Sequence, residues 1–321
     1  MQFSDFDELL ARIQELNRSQ DYPQAMQLAD RAIQVYPEYA HVLNYWRLMM
    51  AARSGETEHA LEILNNVLQS GFWYSQALLR KTPALQNLQG NLDFERLVQI
   101  NQKLREVDST EKFPMLILRA ENQCQPGGPP CPLLIGLHAN IANARDSVDF
   151  WKPAATDGWL VGAPQSSQAI WKGAYVWDDR RMAAEEIEHH VGALRKQYAV
   201  DPERIVLAGH AMGAEVAIWM ALNGTANTHG FVAFAPNGPF MLQTEKWAPL
   251  IQKNPNPGLR GYVILGEEDN TVSEENVRVM VDLFDQGGIP CELEIVPLAG
   301  NDHAPEFDSS LLRGLEFVAP E

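Results

Sequence analysis

Apolar positions recur three and four apart through the first hundred residues: Leu9, Ile13 and Leu16, then Ala25, Leu28, Ala32 and Ile33, then Leu61, Ile63, Leu64 and Leu68. That spacing puts each set on one face of an amphipathic helix. From Ser4 to about Asp108 there is almost nothing of strand type. Beyond Asp108 the pattern changes. Short apolar runs at 113–118, 132–137, 159–163, 205–207, 231–234, 262–265 and 292–296 alternate with helical spacing at 181–198, 214–222, 273–286 and 309–317. Apolar strands alternating with helices predict a mostly parallel sheet covered on both faces. The expected organisation is an all-α domain over 1–110 and an α/β domain over 111–321. In such sheets, sites gather at the carboxyl ends of the strands.

Composition narrows the partners. The 321 residues carry a net charge of −17, which argues against nucleic acid, because phosphate binding needs concentrated Lys and Arg. Anionic membrane surfaces are disfavoured for the same reason, and no apolar run approaches the length of a membrane span. The opening Met-Gln-Phe-Ser-Asp-Phe-Asp-Glu has neither a basic start nor an apolar core, so a cytoplasmic protein is expected. Cys124 and Cys131 flank a Pro/Gly loop, and with Cys291 they are too few for a disulfide framework. In a reducing cytosol the two are expected to stay as thiols. No Cys/His cluster has zinc-ligand spacing, and His189-His190 reads as a solvated helix face. Neither metal nor cofactor is expected.

The chemistry concentrates in one stretch, Ile205-Val-Leu-Ala-Gly-His-Ala-Met-Gly-Ala214. A short apolar strand runs into Gly209-His210-Ala211-Met212-Gly213, and helical spacing follows. Serine at the centre would make this G-x-S-x-G, a strand-to-helix turn that lifts a nucleophile out of the sheet. Here the centre is Ala211, so the turn is present and the oxygen is missing.

Over roughly 112–319 the chain resembles the α/β-hydrolase superfamily, in particular its carboxylesterase and phospholipase-like branch. Members carry nucleophile, acid and histidine in that chain order. The strand at 262–265 runs into Gly266-Glu-Glu-Asp-Asn-Thr-Val272, and the resemblance implies Asp269 as the triad acid, with Glu268 the alternative. Leu298-Ala-Gly-Asn-Asp-His303 follows the last strand, where the family keeps its general base. Leu137-His-Ala-Asn140 stands where the family has His-Gly-x, which implies oxyanion donors at Asn140, at Met212 after the nucleophile position, and next at Ala139. The Cβ of Ala139 would disfavour a positive φ at that position. Trp171, Tyr175 and Trp177 are expected in the substrate pocket, with His138 and His210 beside them; packing of the loop on the sheet explains Trp177 equally well. Asn237-Gly-Pro239 is a further candidate wall. Ser166 and Ser167 lie in no such turn and make poor nucleophiles.

In the helical region Ala25 and Ala60 lie 35 residues apart, each after a turn (Asp21-Tyr-Pro-Gln24, Gly55-Glu-Thr-Glu58). This resembles tetratricopeptide repeats, whose period is 34 residues, and implies a peptide-binding surface or, more simply, a helical cover or self-association face. The function implied is a serine hydrolase of small-molecule carboxylic esters, working through an acyl-enzyme and present as a nucleophile-to-Ala inactive form. His303 would move the proton and Asp269 would orient it. With Asp269, His303 and the oxyanion turn all in place, a deliberate replacement at 211 explains the sequence better than natural loss of function. The other readings are a natural non-catalytic binding or scaffold protein, and a serine peptidase or amidase.

Overall fold

The computed structural model describes residues 5–108, 114–120, 123–300 and 305–319. By its contacts the chain forms two units: the part up to residue 110 together with Ile170–Lys172, and the remainder.

The first unit is helical: α1 (Phe6–Arg18), α2 (Tyr22–Val35), α3 (Ala40–Arg53), α4 (Thr57–Gln69), α5 (Gln76–Lys81) and α6 (Leu92–Asp108). The side chains of Asp5, Asp21 and Ser75 accept the N–H groups of Glu8, Gln24 and Leu78 and so fix three helix starts. Leu9, Ile13, Leu16, Ala25, Leu28, Ala29 and Ala32 form the core between the first helices, as the three-and-four spacing requires. Ala25 and Ala60 are both fully buried. Asn101, also fully buried, bonds both the N–H and the carbonyl of Tyr74 at 2.8 Å.

The second unit begins with β1 (Met115–Leu118), β2 (Cys131–Leu137), α7 (Val148–Thr156) and β3 (Leu160–Pro164). Two short strands follow, β4 (Ala169–Trp171), whose Ile170 and Trp171 belong to the first unit, and β5 (Ala174–Tyr175), and then α8 (Arg180–Gln197), β6 (Val200–His210) and α9 (Met212–Leu222). The chain continues through β7 (Gly230–Phe234), α10 (Ala248–Lys253), β8 (Arg260–Gly266), α11 (Glu274–Gln286), β9 (Cys291–Val296) and α12 (Glu306–Val318). The sheet runs β1-β3-β2-β6-β7-β8-β9, parallel except for β1, which pairs antiparallel to β3 at its edge.

Period-two alternation splits each central strand between two cores. Leu134, Val206, Val232 and Ile264 face α7 and α12. Leu133 and Leu207 face α8 and α9, and Phe231 and Val263 face α9 and α11. With both faces covered, every residue of β2, β3 and β7 is buried, which is why these strands read as continuous apolar runs.

Several expectations shift. The strand read at 205–207 extends over Val200–His210, and the helix read from 214 starts at Met212. Helices α7 and α10 and strands β4 and β5 are not legible in the sequence, and His190, read with His189 as a solvated helix face, is buried. Cys124 and Cys131, expected as thiols, are joined in a disulfide with Cα atoms 5.4 Å apart. The turn through Gly127 and Gly128 folds the loop back, with the Gly128 N–H donating to the Gln125 carbonyl at 2.9 Å, and so brings the two cysteines within bonding reach.

Candidate active site

Strand β6 delivers Ala211. Pairing runs to Leu137↔Gly209 on one side and to His210↔Phe234 on the other, so Ala211 is the first residue beyond the sheet. Its backbone stands at φ 51° and ψ −117°, the conformation of the first central residue of a type II′ turn, which glycine favours. Holding alanine there costs on the order of 1–3 kcal/mol. The surroundings impose it. The Ala211 N–H donates to the Phe234 carbonyl at 3.0 Å, and its carbonyl accepts the N–H groups of Ala214, Glu215 and Asn237 at 3.1, 3.2 and 3.1 Å.

The flanking glycines permit this turn. A Cβ on Gly209 would stand inside 3.0 Å of the Gly213 and Ala214 backbone, and one on Gly213 would run into the carbonyls of Leu137 and His138. Three backbones therefore meet at the elbow: the end of β6, the start of α9 and the turn after β2. The Met212 N–H opens α9, where a helix supplies no partner of its own.

His138 lies under that turn rather than in an open pocket. Its side chain is fully buried. Nδ1 bonds the Ala139 carbonyl at 2.8 Å, and Nε2 receives the Ser166 N–H at 3.3 Å and the Gln165 amide at 3.2 Å. Those contacts fix the tautomer with hydrogen on Nδ1. Burial pushes its pKa down to about 4. Trp177, also fully buried, donates its indole N–H to the His138 carbonyl at 3.0 Å and packs in the core with Leu137 and Leu207. Ala139 is half-buried and Asn140 exposed. The positive φ in this turn falls on Ile141, at 58°, not on position 139.

Tyr175 is half-buried; its N–H donates to the Ala142 carbonyl at 2.9 Å, and it lines a cavity of about 450 Å³ with Asn143, Asp146, Gln165 and Leu116. Trp171 is placed elsewhere: it belongs to the helical unit, where it pairs with Tyr74 and packs 5.4 Å from the His41 ring. His210 stacks on Phe150 with ring centroids 4.6 Å apart. Ser166 and Ser167 are engaged, the first donating to the Val176 carbonyl at 2.7 Å and the second to the Glu186 carboxylate.

Asp269 lies three residues beyond the last pair of β8, Gly266↔Val296. Its Oδ1 accepts the N–H and the hydroxyl of Thr271, both at 2.7 Å. Its Oδ2 is buried with no hydrogen-bond partner among the described residues. Glu268 is exposed, and Glu267 accepts the Leu298 N–H at 3.1 Å. Gly266 packs against the carbonyls of Ala299 and Gly300, and the Glu268 N–H donates to Ala299 at 2.8 Å, so the loops after β8 and β9 run side by side up to residue 300. His303 lies outside the described residues.

Sequence reasoning passed over Glu215 and Arg180. Glu215 is fully buried and ion-paired with Arg180. The available signal was a lone carboxylate in the otherwise apolar Met212–Leu222 helix, one turn after position 211.

Residues 5–109 match the A/B hydrolase-like N-terminal domain, and residues 161–310 match the Dienelactone hydrolase family. None of the curated proteins matches the chain. A crystal structure of an uncharacterized protein from Bacillus cereus is similar over 98% of this chain and 99% of its own, with 22% identity and a TM-score of 0.53. A dienelactone hydrolase-like promiscuous phosphotriesterase from metagenomic libraries is similar over 64% of this chain and 91% of its own, with 14% identity and a TM-score of 0.50. At these identities the two structures speak for the fold alone. The helical region followed by a mostly parallel sheet is an α/β-hydrolase fold, similar over 161–310 to the dienelactone hydrolase family.

Proposed function

We propose that this is the scaffold of a carboxylic ester hydrolase that works through an acyl-enzyme when residue 211 is serine, and that Ala211 holds it in an inactive form. The observation that carries the reading is the backbone of Ala211, kept at φ 51° and ψ −117° between two glycines. A non-glycine residue in that conformation is strained, and the strain serves a nucleophile lifted out of the sheet. Asp269 adds to it: Oδ2 is a buried acceptor without a partner among the described residues, which is what a carboxylate awaiting an imidazole N–H requires.

In this mechanism the serine oxygen at 211 attacks the ester carbonyl as His303 takes its proton. Asp269 keeps the imidazole in the needed tautomer and stabilises its charged form. The N–H groups of Met212 and Asn140 (Ala139 next) hold the oxyanion. The alcohol leaves with the proton from His303, and water then releases the acid by the same route reversed. His210, Tyr175 and the 237–239 segment border the cleft in this reading, and no metal or cofactor takes part. Dienelactones are cyclic esters, so the family match over 161–310 supports a small-molecule ester substrate. For the helical unit we keep the tetratricopeptide-like reading, a face for a protein partner or self-association.

The test is hydrolysis of p-nitrophenyl acetate, butyrate and octanoate by Ala211→Ser beside the unaltered chain. Turnover by the serine variant alone is expected. Silence from both folded proteins would overturn the ester reading in favour of a non-catalytic binding protein, and turnover of amides alone would favour a peptidase or amidase.

A further inference from the structure

We infer that Glu215, held by Arg180, is a positioning residue that sets the wall formed by 237–241 beside position 211; the inference rests on the ester-hydrolase reading. Glu215 is fully buried, one helical turn after Ala211. One carboxylate oxygen pairs with the Arg180 guanidinium. The other accepts the backbone N–H groups of Phe240 at 2.8 Å and Met241 at 2.9 Å. The same guanidinium lies 4.4 Å from the centroid of the Phe240 ring and so seats the ring as well as neutralising the carboxylate.

Gly238 shows how closely the loop descends. Its φ is 154°, and a Cβ there would stand 2.6 Å from both carboxylate oxygens. The neighbouring bonds tie the loop to the candidate site. The Asn237 N–H donates to the Ala211 carbonyl at 3.1 Å. Its side-chain amide donates to the Thr271 carbonyl at 3.4 Å, two residues from Asp269. At the far end the Asn276 amide donates to the Met241 carbonyl at 2.9 Å. The loop thus joins the nucleophile turn, the acid loop and α11, and Glu215 fixes its middle.

A buried ion pair is a poor way to stabilise a fold, because desolvation offsets most of the Coulomb gain. Two apolar side chains would join α8 to α9 at least as well. They could not accept two backbone N–H groups from the loop.

Two variants of the full chain carrying Ala211→Ser separate the roles. Glu215→Gln breaks the ion pair but keeps an acceptor oxygen. Gly238→Ala keeps both charges and crowds the loop away from the carboxylate, so it carries the test if Glu215→Gln fails to fold. Both are expected to raise KM for p-nitrophenyl butyrate by on the order of tenfold, with kcat per folded molecule falling less. Arg180→Lys should stay near the parent value and Arg180→Met should not. In the unaltered Ala211 background both variants should speed amide exchange across 237–242 and leave β6 and β8 as they were. Unchanged KM in an active serine background overturns the proposal, as does faster exchange spread through α9 and β6. If Ala211→Ser is itself inactive, the ester reading falls, and the exchange pattern alone decides whether Glu215 holds the loop.

Discussion

Gly213 leaves no room for a Cβ beside His138, whose carbonyl oxygen would stand 2.4 Å from it, so that the start of α9 and the turn after β2 meet backbone to backbone. The Leu137 carbonyl is 2.9 Å from where a Gly213 Cβ would stand. Nothing at this contact is a flexible side-chain end that could move aside. Gly213→Ala should therefore lower stability by about 3 kcal/mol, the upper part of the overpacking range, as read from urea unfolding. In an Ala211→Ser background it should also abolish ester turnover, because the two proposed oxyanion donors ride on the two backbones it separates.

Ala211 itself gives a prediction of opposite sign. Glycine adopts φ 51° and ψ −117° freely, so Ala211→Gly releases a strain of about 1–3 kcal/mol. The added entropy of the unfolded chain takes back roughly 0.4–1 kcal/mol. The variant should be more stable by about 1 kcal/mol in thermal or urea unfolding; a loss of stability would contradict the elbow conformation.

His138 makes stability pH-dependent. Burial lowers its pKa to about 4, and His190 is lowered to about 4 by burial and then by the neighbouring His189, against an ordinary value near 6.5. The folded chain thus holds both imidazoles neutral where the unfolded chain takes up protons. Stability is full above about pH 6.5 and falls as pH drops toward 4, with an upper bound for each group of about 3 kcal/mol. Urea midpoints between pH 7 and 4.5 should decline, and His138→Gln should flatten part of the slope.

The Cys124–Cys131 bond closes a loop with a sequence separation of 7. Short loops gain modestly from closure, and reduction, or Cys124→Ser with Cys131→Ser, should cost about 2 kcal/mol. A melting temperature indifferent to reductant, with free thiols counted at three, would show that the bond does not form in solution.

Within the helical unit, Asn101 satisfies both backbone groups of Tyr74. Asn101→Leu would leave a buried N–H and a buried carbonyl unpaired and should destabilise by about 3 kcal/mol. The loss should register in the unfolding of the full chain, with Asn101→Asp intermediate because the acceptor remains.

Periodicity by itself determined a helical region followed by a mostly parallel sheet, because burying both faces forces Leu134, Val206, Val232 and Ile264 and their alternating neighbours all to be apolar. Spacing alone also marked the turn, since Gly209 and Gly213 are the residues that let three backbones meet. The chain could not disclose what depends on distant partners. Trp171 belongs with His41 and Tyr74, more than ninety residues earlier in the chain, and Trp177 spends its N–H on the His138 carbonyl. Cys124 meets Cys131 because the Gly127–Gly128 turn folds back, not because of their number. Glu215 is legible only as a carboxylate in an apolar helix; its meaning comes from Arg180 at the head of another helix and from the backbone of Phe240 and Met241. Local pattern reports which face of an element is buried, and only the tertiary structure decides which polar atom finds which partner there.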